Sequence, residues 1–154
     1  NHAVNPDLRQ CMMTILRNPA WTSFTWLGMT AGVSLLATPL RFGAETITRA
    51  VALDVGRVVF NGLNKAEFVL LVIVLLQLRV SGPTRALWMP AFALALILIV
   101  QASWLLPELS ARTDIVIAGG KPPPSIAHAA YSTLELGKLA LLAFTGFRAL
   151  QLLR

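Results

Sequence analysis

The sequence predicts an all-α integral membrane protein, an antiparallel up-down bundle of four transmembrane helices. Three observations carry that expectation. Charged residues make up 13% of the 154-residue chain and hydrophobic residues 56%, whereas a soluble domain uses about 25% charged residues to cover its surface. Four segments approach the roughly 20 apolar residues that a helix needs to cross a bilayer core. The basic residues, 13 Lys and Arg against 7 Asp and Glu, flank the apolar runs, as charges that meet lipid headgroups do. A net charge of +6 would point to nucleic acid in a soluble domain. Here the basic residues do not cluster with aromatics on one element, so nucleic acid is excluded as a partner and the lipid bilayer is expected instead.

The first apolar segment runs from about Trp21 to Leu40 and stops at Thr38-Pro39-Leu40-Arg41. The second and longest runs from about Leu53 to Leu78; its C-terminal half, Phe68 to Leu76, is wholly apolar and its N-terminal half is not. The third spans about Thr84 to Leu106, with Pro90 in its first turns and Trp88 and Trp104 near its ends, where an amphipathic ring suits the interface. The fourth spans about Ser125 to Leu153. Ser81-Gly82-Pro83 reads as a tight turn, and Gly119-Gly120-Lys121-Pro122-Pro123-Pro124 as the end of a loop, with Pro124 and Ser125 opening the last helix. Residues 1–20 form a separate cytoplasmic or interfacial segment ahead of the 21–154 bundle. Pro6 and Pro19 interrupt it, it lacks the apolar region of a signal peptide, and Asn5-Pro6-Asp7 would cap a short amphipathic helix reaching Arg17 at the membrane surface.

The short flanks set orientation through their Lys and Arg content. Arg9, Arg17, Arg79, Arg85, Arg148 and Arg154 fall on one side, opposed only by Asp7. Arg41, Arg49, Arg112 and Lys121 fall on the other, mixed with Glu45, Asp54, Glu108 and Asp114. Both termini are therefore expected to be cytoplasmic in a multi-pass protein. Cys11 is the sole cysteine, which leaves neither an intrachain disulfide nor a cysteine-paired metal site.

Ionisable residues inside a membrane helix are expensive and turn toward a bundle interior or a water-filled cavity. On the fourth segment His128, Tyr131, Glu135 and Lys138 recur at spacings of three, four and three, which places them within an arc of about 80°. One reading is a site that binds a small ligand or cation or handles protons. The other is a structural Glu135–Lys138 pair that pins the bundle. The second segment offers a matching stripe of Asp54, Arg57, Asn61 and Asn64, flanked by Lys65 and Glu67. Two polar stripes at one depth are best satisfied by facing each other. Asn61, Asn64, Glu67, His128, Tyr131, Glu135 and Lys138 are thus the candidate ligand- or ion-binding residues, with Arg57 at the edge. Asp54 and Arg57 read better as headgroup-region residues. Glu67 and Glu135 are expected to point into the bundle.

Other chemistry has less support. No HExxH or Glu-x-x-His pattern occurs, and His128 and Glu135 stand two turns apart, wide for chelation. A single axial haem or metal contact from His128 remains as an alternative. Met12, Met13, Met29 and Met89 are scattered and read as packing or lipid contact more readily than as soft-metal ligands. Gly28 and Gly32 form a small-xxx-small face suited to helix packing, within the chain or with a partner. No nucleophile elbow, Walker loop or dinucleotide fingerprint is present, so nothing recommends an enzyme.

Three stretches carry a family resemblance: Ala37-Thr38-Pro39-Leu40-Arg41-Phe42; Ala52 to Phe60 (ALDVGRVVF); and Pro124 to Tyr131 (PSIAHAAY), followed by Glu135 and Lys138. Together they resemble small bacterial four-helix membrane proteins similar to the copper-resistance-D-like superfamily, which also holds a haem-pathway oxidase of the protoporphyrinogen type. The resemblance covers Trp21 to Leu153. It implies an inner-membrane bundle with polar residues between its helices, and it brings no settled activity. The single cysteine and few histidines depart from the copper-handling members and weigh against a metal role. Three functions therefore compete: handling of a ligand, cation or protons at the polar cluster; an accessory subunit of a larger membrane assembly; and a haem- or metal-dependent redox protein.

Overall fold

The computed structural model describes residues 13–14, 16–81 and 85–152, and among these every regular element is helical. The elements form four rods. The first is α1 (Pro19–Ala31), a π-helical segment π1 (Gly32–Ala37) and α2 (Thr38–Phe42). The second is α3 (Arg49–Val80). The third is α4 (Arg85–Val100), a second π segment π2 (Gln101–Leu105) and α5 (Leu106–Ile117). The fourth is α6 (Ala127–Gln151). The second and third rods, Arg49–Val80 and Arg85–Ile117, are long and apolar enough to cross a membrane. Most of the expected interfacial helix up to Arg17, and Gly82 and Pro83 of the expected turn, lie outside the described residues.

Local chemistry accounts for the ends. Asn18 caps α1, its side chain accepting from the Ala20 N–H at 2.8 Å, and Pro19 occupies the first turn, where its missing N–H costs nothing. The same Asn18 amide donates to Ala149 O at 2.8 Å, tying the start of the first rod to the end of the fourth. Thr48 caps α3 by accepting from the Val51 N–H. Gly119 ends the third rod with φ 81°, a left-handed conformation that an L side chain resists. Ser125 Oγ accepts from the Ala127 N–H at 3.1 Å and so supports the start of α6 where the prolines end.

The π segments share one cause. Each is followed two residues later by a proline, Pro39 after Ala37 and Pro107 after Leu105. A proline inside a helix removes the bond to the carbonyl four residues back and its ring clashes with that carbonyl. The preceding turn widens to relieve this: the Thr38 N–H reaches Val33 O and the Leu106 N–H reaches Gln101 O, both five residues back. The sequence expectation ended the first helix at about Leu40 and the third at about Leu106. Because the widened turns absorb the prolines, the rods instead continue to Phe42 and Ile117.

The rods pack in a ring. Each contacts its neighbours in the chain, and the fourth closes against the first. Alternating direction follows from which ends share a layer. Ala20, Val74, Leu78, Leu87, Ala91 and Ala149 form the layer at one end. Trp26, Leu71, Leu94, Leu98 and Leu142 form the next. Leu105, Leu106, Ala127 and Tyr131, with Phe60, form the layer toward the other end. The first rod packs tightly on the fourth at Gly146, where a Cβ would lie 2.8 Å from the Phe24 ring. Phe24 also meets Phe147 edge-on at 5.3 Å. The outside is apolar: Val69, Leu76, Phe92, Leu96, Leu136 and Phe147 are each more than half exposed. Among the described residues Arg17, Arg79, Arg85 and Arg148 gather at the end of the first layer, while acidic and basic residues mix at the opposite end.

Candidate buried ion centre

Between the apolar layers lies one polar layer to which all four rods contribute. Glu67 lies about 27 Å from the start of α3 and about 20 Å from its end, taking 1.5 Å per residue, so the layer is near mid-length. Lys138 on α6 is its hub. Its Nζ is 2.7 Å from Glu67 Oε1, 2.6 Å from Glu135 Oε1 and 3.1 Å from Gln101 Oε1. An ammonium has three donors and no acceptor, and three acceptor groups surround this one.

Both carboxylates are held further. Glu67 Oε1 accepts from Trp26 Nε1 at 2.9 Å and from Thr30 Oγ1 at 2.8 Å. Glu135 Oε1 accepts from Gln101 Nε2 at 2.8 Å, and its Oε2 accepts from Ser34 Oγ at 2.6 Å. Glu67 and Lys138 have no exposed side-chain surface and Glu135 has 4%. Helical spacing accounts for the convergence: Trp26, Thr30 and Ser34 recur every four residues down one face of the first rod, and Glu135 and Lys138 sit three apart on α6. One ammonium between two carboxylates leaves one formal negative charge if all three are ionised. In a low-dielectric interior such an excess is costly. Uptake of one positive charge, a proton or a small cation, would leave the cluster neutral.

The sequence-expected residues separate in space. Glu67, Glu135 and Lys138 form the centre. Asn64 and Tyr131 are buried one turn from Glu67 and Glu135, respectively; Asn64 Nδ2 has no hydrogen-bond partner, and Tyr131 Oη lies beside the Glu135 carboxylate. Tyr131 packs edge-on against Phe60 with centroids 5.3 Å apart. Asn61 is half-buried and its amide donates to Arg57 O at 2.8 Å, a local bond along its own helix. Arg57 pairs with Asp54 and with Asp114 of α5 near the end of the bundle. His128 and Lys65 are exposed and are not brought to the centre.

Sequence reasoning missed four participants: Trp26, Thr30, Ser34 and Gln101. The signals were a four-residue polar spacing on the first rod and a single amide inside the apolar stretch from Leu94 to Leu106. Gly28 and Gly32 make no close approach within the chain, since a Cβ at either would meet nothing within 4 Å. The close-packed glycines are Gly146 and Gly56, where a Cβ would lie 2.8 Å from the Arg41 guanidinium. Among the described residues no group of three or more His, Cys, Asp or Glu is placed to hold a metal ion. No protein family, characterised protein or solved structure matches this chain.

Proposed function

We propose that the chain is a four-span protein of the bacterial inner membrane, with both termini cytoplasmic, that takes up and releases protons at the Glu67–Lys138–Glu135 centre. One observation carries the reading: two buried carboxylates share one ammonium at mid-length of a bundle whose outer surface is apolar. Polar residues inside and apolar residues outside invert the arrangement of a water-soluble bundle, and lipid is the solvent that favours the inversion. Ionisable residues within membrane helices are rare and mark substrate or ion pathways and proton relays, among other functional sites. The arginine-rich end, with Arg17, Arg79, Arg85 and Arg148, supports the cytoplasmic assignment of the termini. The reading is compatible with the copper-resistance-D-like resemblance, which implies polar residues between four membrane helices.

The test is proton flux into proteoliposomes under an imposed potassium-diffusion potential, followed with an internal pH dye. Flux above that of empty liposomes, abolished by Lys138→Met, is the expected result. Wild-type protein that is folded and inserted but gives no flux would overturn the reading. A second reading, an accessory subunit of a larger membrane assembly, is favoured by one feature: the Gly28–Gly32 face is unfilled within the chain and so open to a partner helix. Co-purification of a stoichiometric partner in mild detergent, lost in Gly28→Leu, is the result that would favour it.

A further inference from the structure

The two carboxylates are held by different kinds of scaffold. The donors to Glu67, Trp26 and Thr30, lie in the regular helix α1 and are fully buried. The donors to Glu135, Ser34 and Gln101, lie one in each π segment. A π turn is a strained local variant of the α-helix that recurs at functional sites. Both segments are set by prolines, Pro39 and Pro107, just beyond them.

The layer is also asymmetric along the bundle axis. On the side toward the arginine-rich end Trp26, Leu71, Leu94, Leu98 and Leu142 close it with apolar side chains. On the other side, within the layer of Leu105, Leu106 and Ala127, lie Tyr131 Oη, beside the Glu135 carboxylate, and the unpaired Asn64 Nδ2; the unpaired Ser23 Oγ stands beyond the apolar layer on the arginine-rich side. Tyr131 stands one helical turn from Glu135, next to that carboxylate. Asn64 lies one turn from Phe60, the ring that Tyr131 packs on. Buried polar groups of this kind are ordinarily satisfied by protein or by ordered water.

We propose, building on the proton-handling reading above, that Glu135 is the carboxylate that gains and loses the proton, and that the proton arrives from water on the Tyr131–Asn64 side. Glu67 stays ionised as the fixed partner of Lys138. In the loading step an O–H bond breaks in a hydrated proton beside Tyr131 and an O–H bond forms on Glu135, returning a water molecule. Lys138 then faces one carboxylate and the centre is neutral. The groups facing Glu135 are Lys138 and Tyr131 on its own helix, Glu67 from α3, and the non-titrating Gln101 and Ser34 from the third and first rods.

The test is pH-difference infrared spectroscopy of the full chain in lipid, with exchange into deuterium oxide. One protonated-carboxyl band should change with pH. It should move in Glu135→Asp and stay in place in Glu67→Asp; both variants keep the charge. Tyr131→Phe should slow proton uptake after a pH jump at least tenfold with no change in thermal midpoint. A band that moves in Glu67→Asp and not in Glu135→Asp would overturn the inference while proteoliposome flux persists, and so would unchanged kinetics in Tyr131→Phe. A lack of any titrating carboxyl band, together with no flux, would instead sink the proton-handling reading itself. If Glu135→Asp does not fold, Ser34→Ala serves as the second probe: Ser34 donates to Glu135 and not to Glu67, so its loss should shift the same band.

Discussion

Lys138 and Glu67 meet at 2.7 Å although their helices stand at opposite corners of the bundle. Neighbouring rods pack through apolar layers, but the diagonal is spanned by this ion pair and by the Phe60–Tyr131 ring contact. The pair thus fixes the depth at which α3 and α6 face each other. A fully bonded ionic layer of this kind favours one register over slipped alternatives, because any slip leaves a buried charge without a partner.

Removing a single donor from Glu67 tests the local cost. Trp26→Phe keeps the ring in its apolar layer and deletes the N–H that reaches Glu67. The loss should be about 1–3 kcal/mol, the usual cost of leaving a buried acceptor short of a bond, read as a lower thermal midpoint in detergent. Thr30→Val should cost a similar amount. A midpoint unchanged in both would mean that Glu67 is not held by these groups.

The glycines separate internal packing from an external partner. Gly146→Ala places a Cβ 2.8 Å from the Phe24 ring and should destabilise by about 1–3 kcal/mol through overpacking. Gly28→Ala meets nothing and should stabilise the isolated protein by up to about 1 kcal/mol through helix propensity. Thermal unfolding of the two variants side by side checks both signs.

How much of this was legible in the sequence depended on residue type. Glu67, Glu135 and Lys138 stood out because charge inside an apolar helix needs a reason. Gln101, Thr30, Ser34 and Trp26 did not, because uncharged polar residues are frequent in membrane-type helices and only the third dimension shows that they converge. His128 shared the stripe of Tyr131 by periodicity, yet it sits in the first turn of α6 on the exposed side; angular phase does not report whether a neighbouring helix reaches that height. Pro39 was read through its local rule, as part of a helix end, and the third segment was ended at Leu106, just before Pro107. That rule omits the option of a widened turn, which here carries both rods onward and places two of the donors to Glu135.

Orientation is checked by labelling. In a Cys11→Ser background, single cysteines at positions 118–121 should react with a membrane-impermeant maleimide from the periplasmic side, because that loop lies at the end remote from Arg17, Arg79, Arg85 and Arg148. Reaction only after the cytoplasmic face is opened would reverse the orientation.

The ionic layer itself gives the most exposed prediction. Lys138→Met leaves two carboxylates facing each other without a counter-charge, and breaking a buried ion pair from one side typically costs about 3–5 kcal/mol. Replacing Glu135 and Lys138 together is not the neutral exchange that an isolated pair would allow, since Glu67 also depends on Lys138. The double variant Glu135→Leu/Lys138→Met should therefore remain destabilised. Adding Glu67→Gln removes the stranded charge and keeps an amide oxygen to accept from Trp26 and Thr30, so the triple variant should recover most of the lost stability. Thermal midpoints of the single, double and triple variants in one detergent give the comparison. A double variant as stable as wild type would show that Glu67 does not need Lys138. A triple variant that is stable and still conducts protons in liposomes would mean that the centre holds the bundle together and carries none of the flux.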